Sequence, residues 1–322
     1  MELQRLGTYR LVRHLPTRGA ASRIFLARHD DEPDEGPPSF FIKLLIPGRG
    51  EAHEHLQAQF EHEIRLLRAF NHPAIPTAHA DGEQDGVRYV VMDHIDGVDL
   101  AALLGHREGA PRALPRELCV YIMGQLADAL RYAHGFAAVG EEDDAEEEPL
   151  GLVHRDIAPS NVVLSRHGDV MLVDFNSARS AWLDPAHDMV DAGQKAYTAP
   201  ERIIGTTPAT PRSDLFSMAV ILWEMLRGQR CFKAESDLKT MDAIVCFDIS
   251  HASRRISGLS TKLGEILRKN LDRDPSRRYT GAYQMLQRLA QAPEAAAAER
   301  SREQLAAMVR ETADRLSKHR SS

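Results

Sequence analysis

Residues 152–176, LVHRDIAPSNVVLSRHGDVMLVDFN, constrain this chain more than any other stretch. Two apolar runs, Val162–Leu164 and Val170–Val173, flank a polar turn at Arg166–Asp169. The pattern predicts a tight hairpin with one acid held at each end, Asp156 before it and Asp174 after it. Together with Asn161 these acids offer two carboxylates and an amide. Such oxygen donors suit a magnesium ion that shares its coordination with substrate phosphates. An acid not spent on the metal can accept a proton from an attacking hydroxyl.

The rest of the chain narrows the setting. Its 322 residues are enough for two compact units, or for one bilobal domain with a tail. A net charge of −7 gives no global basic field for nucleic acid. No apolar run approaches the roughly 20 residues that span a bilayer, and MELQRLGTYR lacks the apolar core of a signal peptide. Cys119, Cys231 and Cys246 lie far apart in no metal-ligand spacing, which predicts buried, reduced thiols in a cytoplasmic protein.

Residues 9–27 predict two strands joined by a turn that holds Gly19, and 30–39 an acidic, proline-rich surface loop. FFIKLL at 40–45 reads as a short apolar strand with one inward-facing lysine, Lys43. Glu51–Phe70 predicts an amphipathic helix carrying Glu63, with Phe60, Ile64, Leu67 and Phe70 on its apolar face. Val87–Met92 is a further strand. After a short helix at Asp99–Gly105, Leu118, Ile122, Leu126, Ala129 and Leu130 mark one face of a long helix over Pro115–His134. Like-charge repulsion predicts a solvated insertion for the acidic run at 141–149, with a docking strip for basic partners as the alternative. Ser213–Leu226 is apolar on nearly every face, a buried helix with Asp214 as its cap. Beyond about residue 292 a helical tail carries a stripe of Leu305, Met308, Val309, Thr312 and Leu316. That stripe docks on its own domain or pairs with another chain.

His154-Arg155-Asp156, Asn161 five residues after that aspartate, and Asp174-Phe175 closely resemble the catalytic and metal-binding segments of eukaryotic-like (Hanks-type) Ser/Thr protein kinases of the short bacterial kind. Ala199-Pro200-Glu201 and Arg278 extend the likeness, and the A-P-E segment favours a protein substrate. The resemblance covers roughly residues 8–290. It implies an α+β, bilobal protein-kinase fold: a mainly antiparallel N-lobe with one long helix over about 8–92, a hinge at 93–97, and a helical C-lobe over 98–290. The C-terminal helical tail is then 291–322. The implied activity is ATP-dependent transfer of the γ-phosphoryl group to Ser/Thr hydroxyls of a protein in signalling, with ATP and Mg2+ as cofactors. By the same resemblance Lys43, paired with Glu63, anchors the phosphates. Asn161 and Asp174 hold the metal, and Asp156 orients the acceptor hydroxyl. Gly19, Ile24, Met92, the backbone of Asp93–Ile95, and Val163 line the nucleotide site. Asp214 braces the catalytic loop, and Arg278 pairs with Glu201.

Several positions depart from the pattern. Phe41 stands where the family places a small alanine beside the adenine. Ala158 replaces the lysine two residues after the catalytic aspartate, and Gln194 the threonine that meets it. Asn176 takes the place of the glycine after Asp174-Phe175, where its tolerance of positive φ is expected to serve. Asp184, Asp188 and Asp191 are expected to pair with Arg155 in place of a phosphate. These departures support a second expectation, a kinase-shaped binding or scaffolding module with little catalysis. A third is a phosphotransferase for non-protein substrates.

Overall fold

The computed structural model describes residues 4–15, 22–106, 108–138, 148–188, 193–248 and 256–320. Gly19, Asp191 and most of the acidic run lie outside them. The chain divides into two units, Met1–Ile95 with Leu183–Met189, and Asp96–Trp182 with Val190–Ser322.

Strand alternation builds the first unit. β1 (Arg5–Leu6), β2 (Tyr9–Leu15), β3 (Ser22–His29), β4 (Phe40–Leu45), β5 (Ala78–Gln84) and β6 (Val87–Asp93) form one antiparallel sheet in the order β1-β2-β3-β4-β6-β5. Asp85 and Gly86, at φ 55° and 76°, make the two-residue turn between β5 and β6, where positive φ matches the strand twist. On one face Phe40, Ile42 and Leu44 pack with Leu6, Ala27, Val91 and Tyr89. Phe41, Lys43 and Leu45 alternate onto the other face. α1 (Glu51–Ala69) buries Phe60, Ile64 and Leu67, the face expected from the sequence. Glu51 and Glu54 sit in its first turn, where the helix dipole favours negative charge.

The second unit is mainly helical. Its elements are β7 (Gly97–Asp99), α2 (Leu100–Leu103), α3 (Arg116–His134), β8 (Ala137–Ala138), β9 (Glu148–Pro149), β10 (Val162–Ser165), β11 (Val170–Leu172), α4 (Pro200–Ile204), α5 (Pro211–Arg227), α6 (Asp237–Val245), α7 (Thr261–Asn270), α8 (Ala282–Ala290) and α9 (Ala298–Arg320). β10 and β11 are the hairpin expected at 162–173, and β10 also pairs with β7. Every residue of α5 from Ser213 to Leu226 is buried. Its cap is not Asp214, however, but a reciprocal box of Thr210 and Ser213. Burial of the thiols holds for Cys119 alone, since Cys231 is half-buried and Cys246 exposed. No helix among the described residues is long and apolar enough to cross a membrane.

α9 settles on its own unit. Leu305, Val309 and Thr312 are each 0 % exposed, so their stripe is not left open for a second chain. The helix lies against the hairpin that follows Asn161: Arg302 Nη2 reaches Asp169 at 2.7 Å, and Arg310 Nη1 donates to the Arg166 carbonyl at 2.8 Å. Thr312 Oγ1 accepts from Arg112 at 3.0 Å. Gly168 makes this approach possible, because a Cβ there would stand 2.2 Å from the Arg302 carbonyl oxygen, and its φ is +85°. Gly168→Ala is therefore expected to cost about 1–3 kcal/mol. Limited proteolysis should then cut within 298–320 faster than in the parent, and the melting temperature should fall.

Candidate active site

The first unit contributes a lysine and its acid. Lys43 sits in mid-β4, and Glu63 on the inner face of α1. Lys43 Nζ donates to Glu63 Oε2 at 2.7 Å, and the two residues are 7 % and 1 % exposed. A buried pair like this persists only if each charge has its partner, since removing one strands the other. The strand register puts Ile24 opposite Lys43, and Leu26 and Met92 opposite Phe41. Ile24, Phe41, Lys43 and Met92 therefore share one face, with Met92 buried and Phe41 half-buried. On α1, Gln59 Nε2 donates to the His187 carbonyl at 3.1 Å, and the imidazoles of His55 and His187 meet at 3.1 Å.

Backbone contacts from Asp93–Ile95 are narrower than expected. The Asp93 N–H is bonded to the Thr77 carbonyl at 3.2 Å and the His94 N–H to that of Ser39 at 3.0 Å. Any contact from this segment to a base falls to its carbonyl oxygens or to Ile95.

The second unit brings Asp156, Asn161 and Asp174 to the open end of the β10–β11 hairpin, with Val163 within β10. Asn161 Nδ2 donates to Asp156 Oδ2 at 2.8 Å and to its carbonyl at 2.9 Å, which fixes the amide's orientation. Asp156 Oδ1 accepts the Gln194 N–H at 2.8 Å. Val163 pairs with Met171 in the hairpin, both half-buried, while Val162 and Leu164 point into the core. Asp174 is exposed and takes a left-handed backbone, φ 67° and ψ 75°, while Phe175 beneath it is fully buried. The Phe175 ring lies 4.6 Å from that of His154. Asn176 sits in the short turn at Phe175–Ser177 with no positive φ, so the expected left-handed residue is Asp174 instead.

One exposed carboxylate and one oriented amide fit a magnesium ion, which keeps waters and substrate oxygens for its remaining positions. Among the described residues no cluster of three His, Cys, Asp or Glu side chains could hold a metal by itself.

Buried polar groups hold the loop that carries Asp156. Asp214 accepts the N–H groups of His154 and Arg155, both at 2.9 Å, and His134 Nε2 at 2.8 Å. Burial alone would raise its carboxyl, but the hydrogen bond and charge of His134, with the His154 ring and N–H, hold it below the ordinary carboxylate range. Burial also pushes the His154 imidazole down, against the pull of Asp214. Arg155 has φ 67°, and its Nε donates to the Ser177 carbonyl at 2.7 Å. Asp184 caps the turn at Pro185–His187 through Ala186 N at 2.8 Å. Glu201 takes both Arg278 nitrogens, at 2.8 and 2.7 Å, and the Ser213 hydroxyl at 2.8 Å. Tyr197 donates to the buried Glu224 at 2.7 Å. His134, Ser213 and Glu224 were not singled out from the sequence, because each acts through a partner distant in the chain.

A family model described as a protein kinase domain matches residues 18–290. The chain is 30% identical over 281 residues to the tyrosine-protein kinase MasK of Myxococcus xanthus (strain DK1622), covering 87% of this chain and 42% of MasK. It is 29% identical over 237 residues to the serine/threonine-protein kinase PknB of Mycolicibacterium smegmatis, covering 70% and 34%. With the serine/threonine-protein kinase PknJ of Mycobacterium bovis the identity is 30% over 287 residues, covering 85% and 43%. The chain thus spans less than half the length of these relatives.

The depressed Asp214 carboxyl sets a pH window. Its contribution is complete above the unfolded value near the ordinary carboxylate range, about 4, and is lost as the pH falls through the lower folded value. Hydrogen exchange at the His154 and Arg155 amides should stay protected as the pH drops to about 4 and give way only below it. Asp214→Asn should lose protection at every pH.

Proposed function

Since this chain belongs to the protein kinase family, in its bacterial eukaryotic-like branch, we propose that it transfers the γ-phosphoryl group of ATP to Ser/Thr hydroxyls of a protein substrate. The observation that carries this is the closed, buried pair of Lys43 and Glu63 at 2.7 Å. An ammonium fixed by a buried acid is a preorganised partner for phosphate oxygens, and phosphoryl transfer depends mainly on positioning and charge neutralisation. Magnesium, when bound with ATP, supplies neutralisation of the developing phosphate charge, and Asp174 and the Asn161 amide oxygen would hold it. Asp156, with both carboxylate oxygens fixed by neighbouring N–H groups, orients the acceptor hydroxyl and takes its proton. Ile24, Met92 and Val163 offer apolar surface to the base. Ser/Thr acceptors rather than tyrosine are supported by Pro159, the Tyr197-to-Glu201 segment, and the likeness to the serine/threonine-protein kinases PknB and PknJ. The likeness to MasK, a tyrosine-protein kinase, is the counterweight.

A second reading, a binding module with little catalysis, is favoured by Phe41, whose ring shares its face with Lys43. Purified protein and its Asp156→Asn variant, given ATP, magnesium and a generic basic protein, separate the two. The parent should transfer phosphate at least about 100-fold faster than the variant, the scale of a lost proton acceptor. No transfer by either, with no nucleotide-induced rise in melting temperature, would establish the second reading. If the phenyl ring crowds the base, Phe41→Ala should lower KM for ATP by roughly 3–10-fold, in line with relief of about 1 kcal/mol of overpacking.

A further inference from the structure

We infer that Gln194 is a positioning residue for Asp156, locked in place through Ser160; the inference rests on the kinase reading of the same site. Three observations converge on it. The Gln194 backbone N–H donates to Asp156 Oδ1 at 2.8 Å, while its side-chain Nε2 donates to Ser160 Oγ at 2.7 Å. Ser160 adjoins Asn161, whose amide holds Asp156 Oδ2 at 2.8 Å. The four residues therefore close a ring in which both oxygens of one carboxylate are gripped from two directions. The third observation is Gly193, at φ +98°, where a Cβ would stand 2.6 Å from the Arg155 carbonyl and 3.3 Å from Asp156 Oδ1. Only a residue without a side chain lets this segment approach closely enough for the next N–H to reach the carboxylate.

Elsewhere in the ring the chain is also held. The Gln194 carbonyl accepts from Tyr197 N at 3.0 Å and Thr198 Oγ1 at 3.2 Å, so residue 194 is pinned at its donor, its carbonyl and its side chain. Ala158, between Asp156 and Ser160, is fully buried and has no polar side-chain atom to serve as an alternative fastener. A neutral amide-to-hydroxyl bond thus joins the catalytic loop to the segment before Tyr197. Its effect is geometric: it aims an N–H and carries no net charge to the reacting phosphate.

The test uses full-length Gln194→Ala, Ser160→Ala, the double variant, and an Ala158→Lys/Gln194→Thr pair. A positioning loss of this kind is expected to lower kcat about 10- to 100-fold in Gln194→Ala and about 10-fold in Ser160→Ala. In Gln194→Ala, KM for ATP and the ATP-induced melting shift should stay within about twofold, because that side chain contacts none of the groups proposed to hold the nucleotide or the metal. The double variant should be no slower than Gln194→Ala alone, as expected when one residue acts through the other. The Lys/Thr pair, which replaces the Gln194–Ser160 fastener with another and adds a cation, should be no slower than the parent. Independently of turnover, Ser160→Ala should speed hydrogen exchange at the Gln194 amide by about tenfold. Parental kcat in Gln194→Ala, losses that multiply in the double variant, or unchanged exchange would each overturn the inference. If the parent transfers no phosphate, the kinase reading fails and the exchange measurement alone decides this one.

Discussion

The carboxylate of Asp214 is the fixed point of the second unit. Two consecutive N–H groups, those of His154 and Arg155, converge on it at 2.9 Å. Consecutive amides point the same way only when the chain kinks, and the kink appears as the left-handed Arg155 at φ 67°. A buried anion without such donors would cost several kcal/mol, and a left-handed arginine about 1–2 kcal/mol, so each is tolerable because of the other. From this kink the loop's remaining contacts are handed on. The Arg155 carbonyl accepts from Arg202 at 2.7 Å, its Nε reaches Ser177, and the next residue is Asp156. Where Asp156 stands is therefore decided by an acid that takes no direct part in the chemistry proposed for it.

The same economy runs through α5. Because Thr210 and Ser213 cap that helix, Asp214 in its first turn is available to the loop. Ser213, after serving the cap, donates its hydroxyl to Glu201, which Arg278 grips with two nitrogens. Arg278 itself lies over the Phe216 ring at 5.0 Å. One buried turn of helix thus holds both the catalytic loop and the segment after Tyr197. Charges in such surroundings stabilise a fold only when every one is matched, and here they are matched in chains rather than isolated pairs.

Much of this is legible in the amino-acid sequence, and the boundary is physical. The apolar run FFIKLL foretold a strand carrying an inward-facing Lys43, and the apolar runs at 162–173 foretold the hairpin, because a short apolar run bounded by turn residues is a local signal. The helix over 116–134 and the buried α5 were legible for the same reason. Periodicity marks an apolar face, however, without saying what covers it, so the seat of α9 was open between its own unit and a second chain. Nor does residue type reveal backbone angle: Asn176 tolerates positive φ, yet the left-handed residue is Asp174, whose carboxylate that geometry turns to solvent. Partners separated by tens of residues, such as His134 with Asp214 or Ser160 with Gln194, leave no spacing signature at all.

The departures at Ala158 and Gln194 look different once their neighbours are known. Removing a lysine from a catalytic loop deletes a charge and a tether, and only the tether has a visible replacement. Asp156 is oriented by two neutral donors, an amide N–H and a backbone N–H, whose dipoles fix direction but neutralise little of a transferred phosphate's charge. In the proposed reaction that charge falls to Lys43 and to the magnesium carried with ATP. Loss of one preorganised cation typically costs about 3–4 kcal/mol of barrier, while the geometry around Asp156 is kept intact by the Gln194–Ser160 bond. In the proposed reaction a site arranged this way would keep its aim at the acceptor hydroxyl while giving up rate. The Gln194–Ser160 bond thus keeps the tether of the lost lysine without its charge.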